Sequence, residues 1–216
     1  DLNRNFISAE ANRYTFELQT NIVGEFSTGS VDHTLLAGVD LIRVEADSSF
    51  LGDFRTAAPI NIFDPVYGAT PRPDFSQAPV IFAGEDQTDI LGLYIQDQIA
   101  FSDNLKLLLG VRYESFNQDR INFPSSIVAE RSEDNQEESA FTPRLGVVYQ
   151  PIEPLSLYAS YSRSFIPNTG SMTVSGEFLD PREGEQFEVG ARAELLAGNL
   201  IINLVYFNLT QSNVPT

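Results

Sequence analysis

His33 is the only histidine in this chain, so a Ser-His-Asp triad could draw its base from nowhere else. It stands beside a tight-turn signal at residues 26–32, where a structural or interfacial role outweighs a catalytic one. The acidic run at 130–138, with Asp134 inside it, could attract a cation. It lacks the Gly-punctuated pattern of a calcium loop, and a solvated loop is the better reading. Carboxylate pairs abound in so acidic a chain, and none has a spacing that singles it out for glycoside chemistry. With no cysteine, disulfides, thiolate-held metals and thiol catalysis are excluded. Asn208-Leu209-Thr210 fits a glycosylation sequon but falls inside a strand pattern.

The chemistry that survives is binding. The long polar excursion at 49–86 carries Phe50, Phe54, Arg55, Tyr67, Arg72 and Phe75, and Phe116 and Phe123 stand near the next one. Aromatic rings can stack on a ligand and polar groups can orient it. Exposed loop aromatics also pack their own loop, which is the competing reading for each of them. A second set is the alternating charges Lys106, Arg112, Glu114, Arg144, Glu188, Arg192 and Glu194. These could line a wet interior or meet another part of the protein there; pairing across adjacent strands for structure explains them at least as well.

Charge narrows the partners. The 216 residues hold 30 acidic against 13 basic side chains, a net charge of −17. Phosphate recognition needs clustered Lys and Arg, and no cluster is present, so nucleic acid is not an expected partner.

The elements that must position these residues follow a strict rhythm. Apolar and polar residues alternate in eight segments joined by tight connections at 26–32, 102–104, 151–154 and 197–199. Between the tight connections lie long polar excursions at 49–86, 122–137 and 167–183. Leu105, Leu107, Leu109, Val111 and Tyr113 share one strand face, with Lys106, Leu108, Gly110, Arg112 and Glu114 on the other. Phe141, Pro143, Leu145, Val147 and Tyr149 oppose Thr142, Arg144, Gly146 and Gln150. Phe187, Val189, Ala191, Ala193 and Leu195 oppose Glu188, Gly190, Arg192 and Glu194. The segment 200–211 is apolar on both faces, which leaves its register open.

Short turns on one side and long loops on the other are the signature of an antiparallel transmembrane β-barrel. No apolar run reaches the roughly 18 residues of a membrane helix, whereas barrel strands need only about 9 to 11. Phe26, Phe101, Tyr113, Tyr149 and Phe165 fall at strand ends, where interfacial aromatic girdles belong. A soluble sandwich also alternates. Its strands usually run to about 5 or 6 residues, and these read as about twice that or more, with charge beside Gly on the polar face. The start, Asp1-Leu2-Asn3-Arg4, has no leader character, so the chain reads as internal to a longer precursor.

Seven blocks then carry a resemblance. They are His33-Thr34-Leu35-Leu36-Ala37-Gly38-Val39-Asp40, Gly92-Leu93-Tyr94-Ile95-Gln96-Asp97-Gln98, Leu109-Gly110-Val111-Arg112-Tyr113-Glu114 and Phe141-Thr142-Pro143-Arg144-Leu145-Gly146-Val147-Val148-Tyr149. Leu157-Tyr158-Ala159-Ser160-Tyr161-Ser162-Arg163-Ser164-Phe165, Gly184-Glu185-Gln186-Phe187-Glu188-Val189-Gly190 and Val205-Tyr206-Phe207-Asn208-Leu209-Thr210 complete the series. In this order they resemble TonB-dependent siderophore receptors, and Asn61-Ile62-Phe63-Asp64-Pro65-Val66-Tyr67-Gly68 is similar to the ferrichrome, hydroxamate-type branch. The resemblance implies the central part of a barrel of about 22 strands in the outer membrane of a Gram-negative bacterium. It implies ferric siderophore uptake energised through TonB, no enzyme activity, and no resident cofactor, iron entering only as chelated cargo. The family's plug domain and its TonB-contacting segment are not in this sequence, so residues 1–216 correspond to part of the barrel domain. Outer-membrane lipid, ferric siderophore and, through the plug, the TonB complex are the implied partners. A small autonomous eight-stranded barrel with a structural or adhesive role, or a secreted soluble β-domain, are the alternatives.

Overall fold

The computed structural model describes the chain except Ala69, Ser171 and Thr216 and the side chains of residues 53–57. Eight strands make one antiparallel sheet in sequence order: β1 Leu2–Thr28, β2 Val31–Ile60, β3 Val80–Ser102, β4 Leu105–Asn122, β5 Ser132–Ile152, β6 Leu155–Ile166, β7 Arg182–Leu195 and β8 Leu200–Ser212. Among the described residues one 3-10 turn, Phe75–Gln77, interrupts the longest loop.

All four tight connections stand where alternation placed them. Gly29, at φ 67°, allows the first turn, and in the last Leu196, Ala197 and Gly198 all have positive φ. The long excursions are shorter than the sequence suggests, because the strands are longer. β2 runs 30 residues to Ile60, so Phe50 belongs to a strand and the loop contracts to 61–79. The other two contract to 123–131 and 167–181. Backbone pairing asks little of side-chain polarity, so hydrophilic segments with no apolar stripe continue the ladder unseen by a periodicity argument.

Contacts divide the chain into two compact units. The first comprises 1–16, 43–89 and 118–135; the second comprises 17–42, 90–117 and 136–216 and contains all four tight turns. Within the second unit the ladder aligns faces across neighbouring strands. Val147 pairs with Ala159, Ala159 with Val189 and Val189 with Tyr206 on the apolar side. Gly146 pairs with Ser160 and Ser160 with Glu188 on the polar side. This settles β8: Leu200, Ile202, Leu204 and Tyr206 continue the apolar face, while Ile201, Val205 and Phe207 share the side of Glu194, Gly190 and Glu188.

The decisive feature is where apolar residues lie. Among the described residues only Ile81 and Phe116 are buried apolar side chains, whereas Leu18, Ile22, Ile95, Val111, Leu157 and Leu204 are exposed along one face. A water-soluble sheet of this size would cover such a face, whereas a lipid-facing wall leaves it bare. Tyr113 corrects the girdle reading: it lies mid-strand in β4, its ring tilted against Phe141 with centroids 4.9 Å apart, rather than at a strand end. The apolar band needs only about 9 to 11 residues of tilted strand, so an aromatic at the band's edge falls inside a longer strand.

Candidate functional site

The polar face of the second unit carries a cluster built around Arg112. Its Nη1 donates to Asp40 Oδ2 at 2.5 Å and its Nε to Glu114 Oε2 at 2.9 Å. Asp40 lies on β2 and Arg112 on β4, so the guanidinium must cross β3 to reach it. It crosses over Gly92, where a Cβ would collide with all three outer guanidine atoms. The same device recurs beside it, since the Tyr94 ring lies over Gly38 and stands 5.7 Å from the Arg112 guanidine carbon. These glycines matter for absent side chains, which lets long neighbours lie flat along the sheet. Asp40 is 8% exposed, and its Oδ1 is buried without a partner among the described residues.

The other charges divide between paired and free. Glu188 accepts from Tyr158 Oη at 2.8 Å and from Gln186 at 3.1 Å, and Arg192 donates to Glu194 at 2.8 Å. Lys106 and Arg144 have no hydrogen-bond or ion-pair partner among the described residues. Among the described residues none of the seven charges pairs with another across adjacent strands: Arg112 with Glu114 and Arg192 with Glu194 are neighbours on one strand, and Glu188 is held by Tyr158. Arg144 opens onto a groove of about 470 Å³ on the polar face, shared with Gln19, Asn21, Asp40, Gln96, Arg112 and Thr142. Arg163 falls on the other side of β6, with Ala159, and pairs there with Glu183.

The candidate loop residues separate in the same way. Tyr67 and Arg72 are exposed in the 61–79 loop, and Phe75 is half-buried in its 3-10 turn. Phe54 and Arg55 lie outside the described residues. Phe50 sits in β2 with its ring 5.5 Å from Phe82. Phe116 is a correction: it is 6% exposed and lies within β4, so it is a packed residue rather than a rim contact. Alternation ends on polar residues there, and sequence alone read the strand as ending too early. Phe123 follows β4 directly, half-buried, its N–H donating to Ala83 O at 2.9 Å. Sequence reasoning passed over Phe63, which is 90% exposed in the same loop as Tyr67; a count of aromatics across 61–67 would have found it.

Two further features were only partly visible. His33 Nδ1 lies 2.7 Å from Asp97 Oδ2, with the ring stacked on Phe26 at 4.8 Å, beside the first turn. No serine completes a triad among these contacts. In the 167–181 loop, buried Asn168 donates to Asp180 O at 2.5 Å and to Asn213 O at 2.9 Å, while Asn213 donates to Pro181 O at 2.8 Å. The acidic 130–138 run disperses along β5 and its approach, with Arg131 on Glu133, and Gln136 on Glu138 at 3.4 Å. In the 61–79 loop Asp74 accepts from the Ser76 N–H and hydroxyl at 2.9 Å each, and these bonds hold its carboxyl below the usual carboxylate range.

The family model described as TonB dependent receptor-like, beta-barrel, matches residues 2–216. The metal-pseudopaline receptor CntO of Pseudomonas aeruginosa is 37% identical over 204 residues, covering 92% of this chain and 28% of the relative. The ferrichrome outer membrane transporter/phage receptor of Escherichia coli is 29% identical over 217 residues, covering 98% of this chain and 28% of the relative. Among solved structures, the ferripyoverdine receptor of P. aeruginosa bound to ferripyoverdine aligns with a TM-score of 0.78 at 24% identity, over 95% of this chain and 26% of that one. The chain thus spans a little over a quarter of the curated relatives it matches.

Proposed function

Because the chain belongs to the TonB-dependent receptor β-barrel family, we propose that it forms part of the wall of an outer-membrane receptor that imports a ferric siderophore. The protein's transport cycle would draw its energy through TonB, by way of segments outside residues 1–216. One observation carries the reading: an exposed apolar face backed by a polar face with charges and amides, on strands joined alternately by tight turns and long loops. Lipid solvates the first face and the second borders a passage. The family is one of transport receptors, so binding and gated passage replace bond-making chemistry. The relatives' names differ in cargo, among pseudopaline, ferrichrome, ferrioxamine B and pyoverdine. Chelated iron is therefore assigned as substrate class and no single chelator is singled out.

First contact with cargo falls to the 61–79 loop, where Phe63 and Tyr67 stand exposed with Arg72 in the same loop. Aromatic faces exclude water from a chelate and the guanidinium meets its oxygens. The test is uptake of radioactive iron by a Gram-negative host stripped of its own siderophore receptors and expressing the full-length protein. A panel of hydroxamate, catecholate and carboxylate iron chelates is offered, with and without functional TonB. Uptake of at least one chelate that stops without TonB is expected. No uptake of any of them, or uptake indifferent to TonB, overturns the reading.

A further inference from the structure

The geometry points to a site for one aminophospholipid on the outer wall, its primary ammonium held by His33 and Asp97 near the first tight turn and an acyl chain lying in the apolar groove beside them. The site is on the apolar face. Asp97 follows Ile95 by two residues on β3, Phe26 follows Ile22 by four on β1, and His33 precedes Ala37 by four on β2, spacings that keep each pair on one side of its strand. The contacts agree: the His33 ring stacks on Phe26 at 4.8 Å, and its Nδ1 lies 2.7 Å from Asp97 Oδ2. Along the outward positions of residues 18–26, 31–41, 91–101 and 105–113, Asp97 is the one acid and no Lys or Arg appears. An ionisable pair on a surface that lipid must solvate is costly and calls for a partner of its own.

A carboxylate oxygen only accepts, so Nδ1 carries the hydrogen of that bond and the neutral ring keeps a lone pair at Nε2. Nε2 has no partner among the described residues, and neither has Asp97 Oδ1, which is buried. One neutral N–H is thus all that offsets the carboxylate among the described residues. The group that completes the site is a cation bringing its own N–H donors. A primary ammonium donates to Nε2 and neutralises Asp97, whereas a phosphate is repelled and a quaternary ammonium has no hydrogen to give. Depth fits a headgroup as well. His33 is the third residue of β2, which on a tilted strand is about 7 Å from the turn, and the interfacial layer of a bilayer is about 5–8 Å thick on each side. Deeper on the same face lies a groove of about 400 Å³ whose lining includes Thr20, Ile22, Ala37, Val39, Leu93 and Ile95. Short Thr20 and Ala37 leave a trough between longer neighbours where an acyl chain can lie, and Ile95 is only about 7 Å along its strand from Asp97. The assignment rests on the wall reading above and not on iron uptake.

Native mass spectrometry of the full-length receptor, released from detergent micelles, tests the site. Dioleoyl phosphatidylethanolamine, phosphatidylcholine and phosphatidylglycerol are offered at equal concentration. The receptor should retain the ethanolamine lipid about fivefold or more over the other two. Asp97→Asn and His33→Phe, the second keeping a ring to stack on Phe26, should each bring that ratio to about one. Ala37→Phe, which fills the groove, should lower retention of the ethanolamine lipid. Equal retention of the three lipids by the unmodified receptor overturns the site and needs no variant to fold. A preference for the glycerol lipid also overturns it, because that headgroup is an anion without an ammonium. So does retention of the ethanolamine lipid that the three substitutions leave unchanged. Failure of the wall reading looks different, since none of the three lipids is then retained. Iron and TonB play no part in the readout, so the uptake reading stands or falls separately.

Discussion

Replacing Gly92 with alanine should break an ion pair that Gly92 does not itself join. The new Cβ would occupy the space of the Arg112 guanidinium where it crosses β3 toward Asp40. That end of Arg112 is flexible, so the cost is not the collision but the bond abandoned when the guanidinium swings away. Asp40 is 8% exposed and already has one buried oxygen unpartnered, so losing Arg112 strands a nearly buried carboxylate. Breaking a fully buried pair costs about 3–5 kcal/mol. The Arg112 side chain is 30% exposed, and solvent screening brings the figure down to roughly 2–3 kcal/mol. Alanine recovers about 0.5–1 kcal/mol over glycine within a strand, leaving Gly92→Ala destabilising by about 1–2.5 kcal/mol. The assay is denaturant unfolding of the full-length receptor in lipid vesicles, run as a cycle with Asp40→Asn. Once the Asp40 charge is gone, Gly92→Ala should cost almost nothing, a coupling of at least about 1 kcal/mol. Strictly additive effects would refute the reasoning, because the glycine would then matter for its own strand and not for the passage it leaves open.

Three more outcomes follow from other parts of the chain. Leu157→Arg places a charge on the exposed apolar face and should cost about 2–4 kcal/mol in bilayer-reconstituted unfolding, whereas Ser156→Arg, one residue away on the opposite face, should cost far less; equal effects would contradict a lipid-facing band. Asn168→Ala removes two donor bonds at the base of the 167–181 loop and should weaken its closure by about 2 kcal/mol, read as roughly thirtyfold faster limited proteolysis within the loop. Unchanged cleavage would show that the amide latches nothing. Asp74 has its carboxyl pKa held below normal in the folded loop by Ser76. Its contribution is therefore complete above the ordinary carboxylate range and is lost as pH falls through the lowered folded value. Amide-exchange protection at Ser76, relative to an Asp74→Asn control, should persist as pH falls into the ordinary carboxylate range and be lost only below it; loss at or above that range would refute the assignment.

Period two and turn chemistry are the parts of this fold written in the amino-acid order alone. Alternation along 105–113 and 187–195 assigned both faces correctly, because each strand residue has one of two directions and lipid demands that one of them be apolar. The tight connections were legible for the same reason: short turns need particular residues, as Gly29 shows. Strand ends at the long loops were not legible, since β2 continues to Ile60 through polar residues whose backbone pairs regardless of side chain. That is why Phe50 and Phe116 were taken for rim residues. The register of β8 was open because both its faces are apolar; only its ladder with β7, from Leu195↔Leu200 to Glu183↔Ser212, fixed which stripe joins the apolar face. Nor could spacing along one strand reveal that Asp40 on β2 meets Arg112 on β4 across Gly92, or that Arg144 is left unpaired among the described residues. Those are facts about three strands at once. Periodicity fixes the direction of each side chain, whereas partnership depends on how strands are staggered and on the size of whatever lies between, and only the assembled sheet decides both.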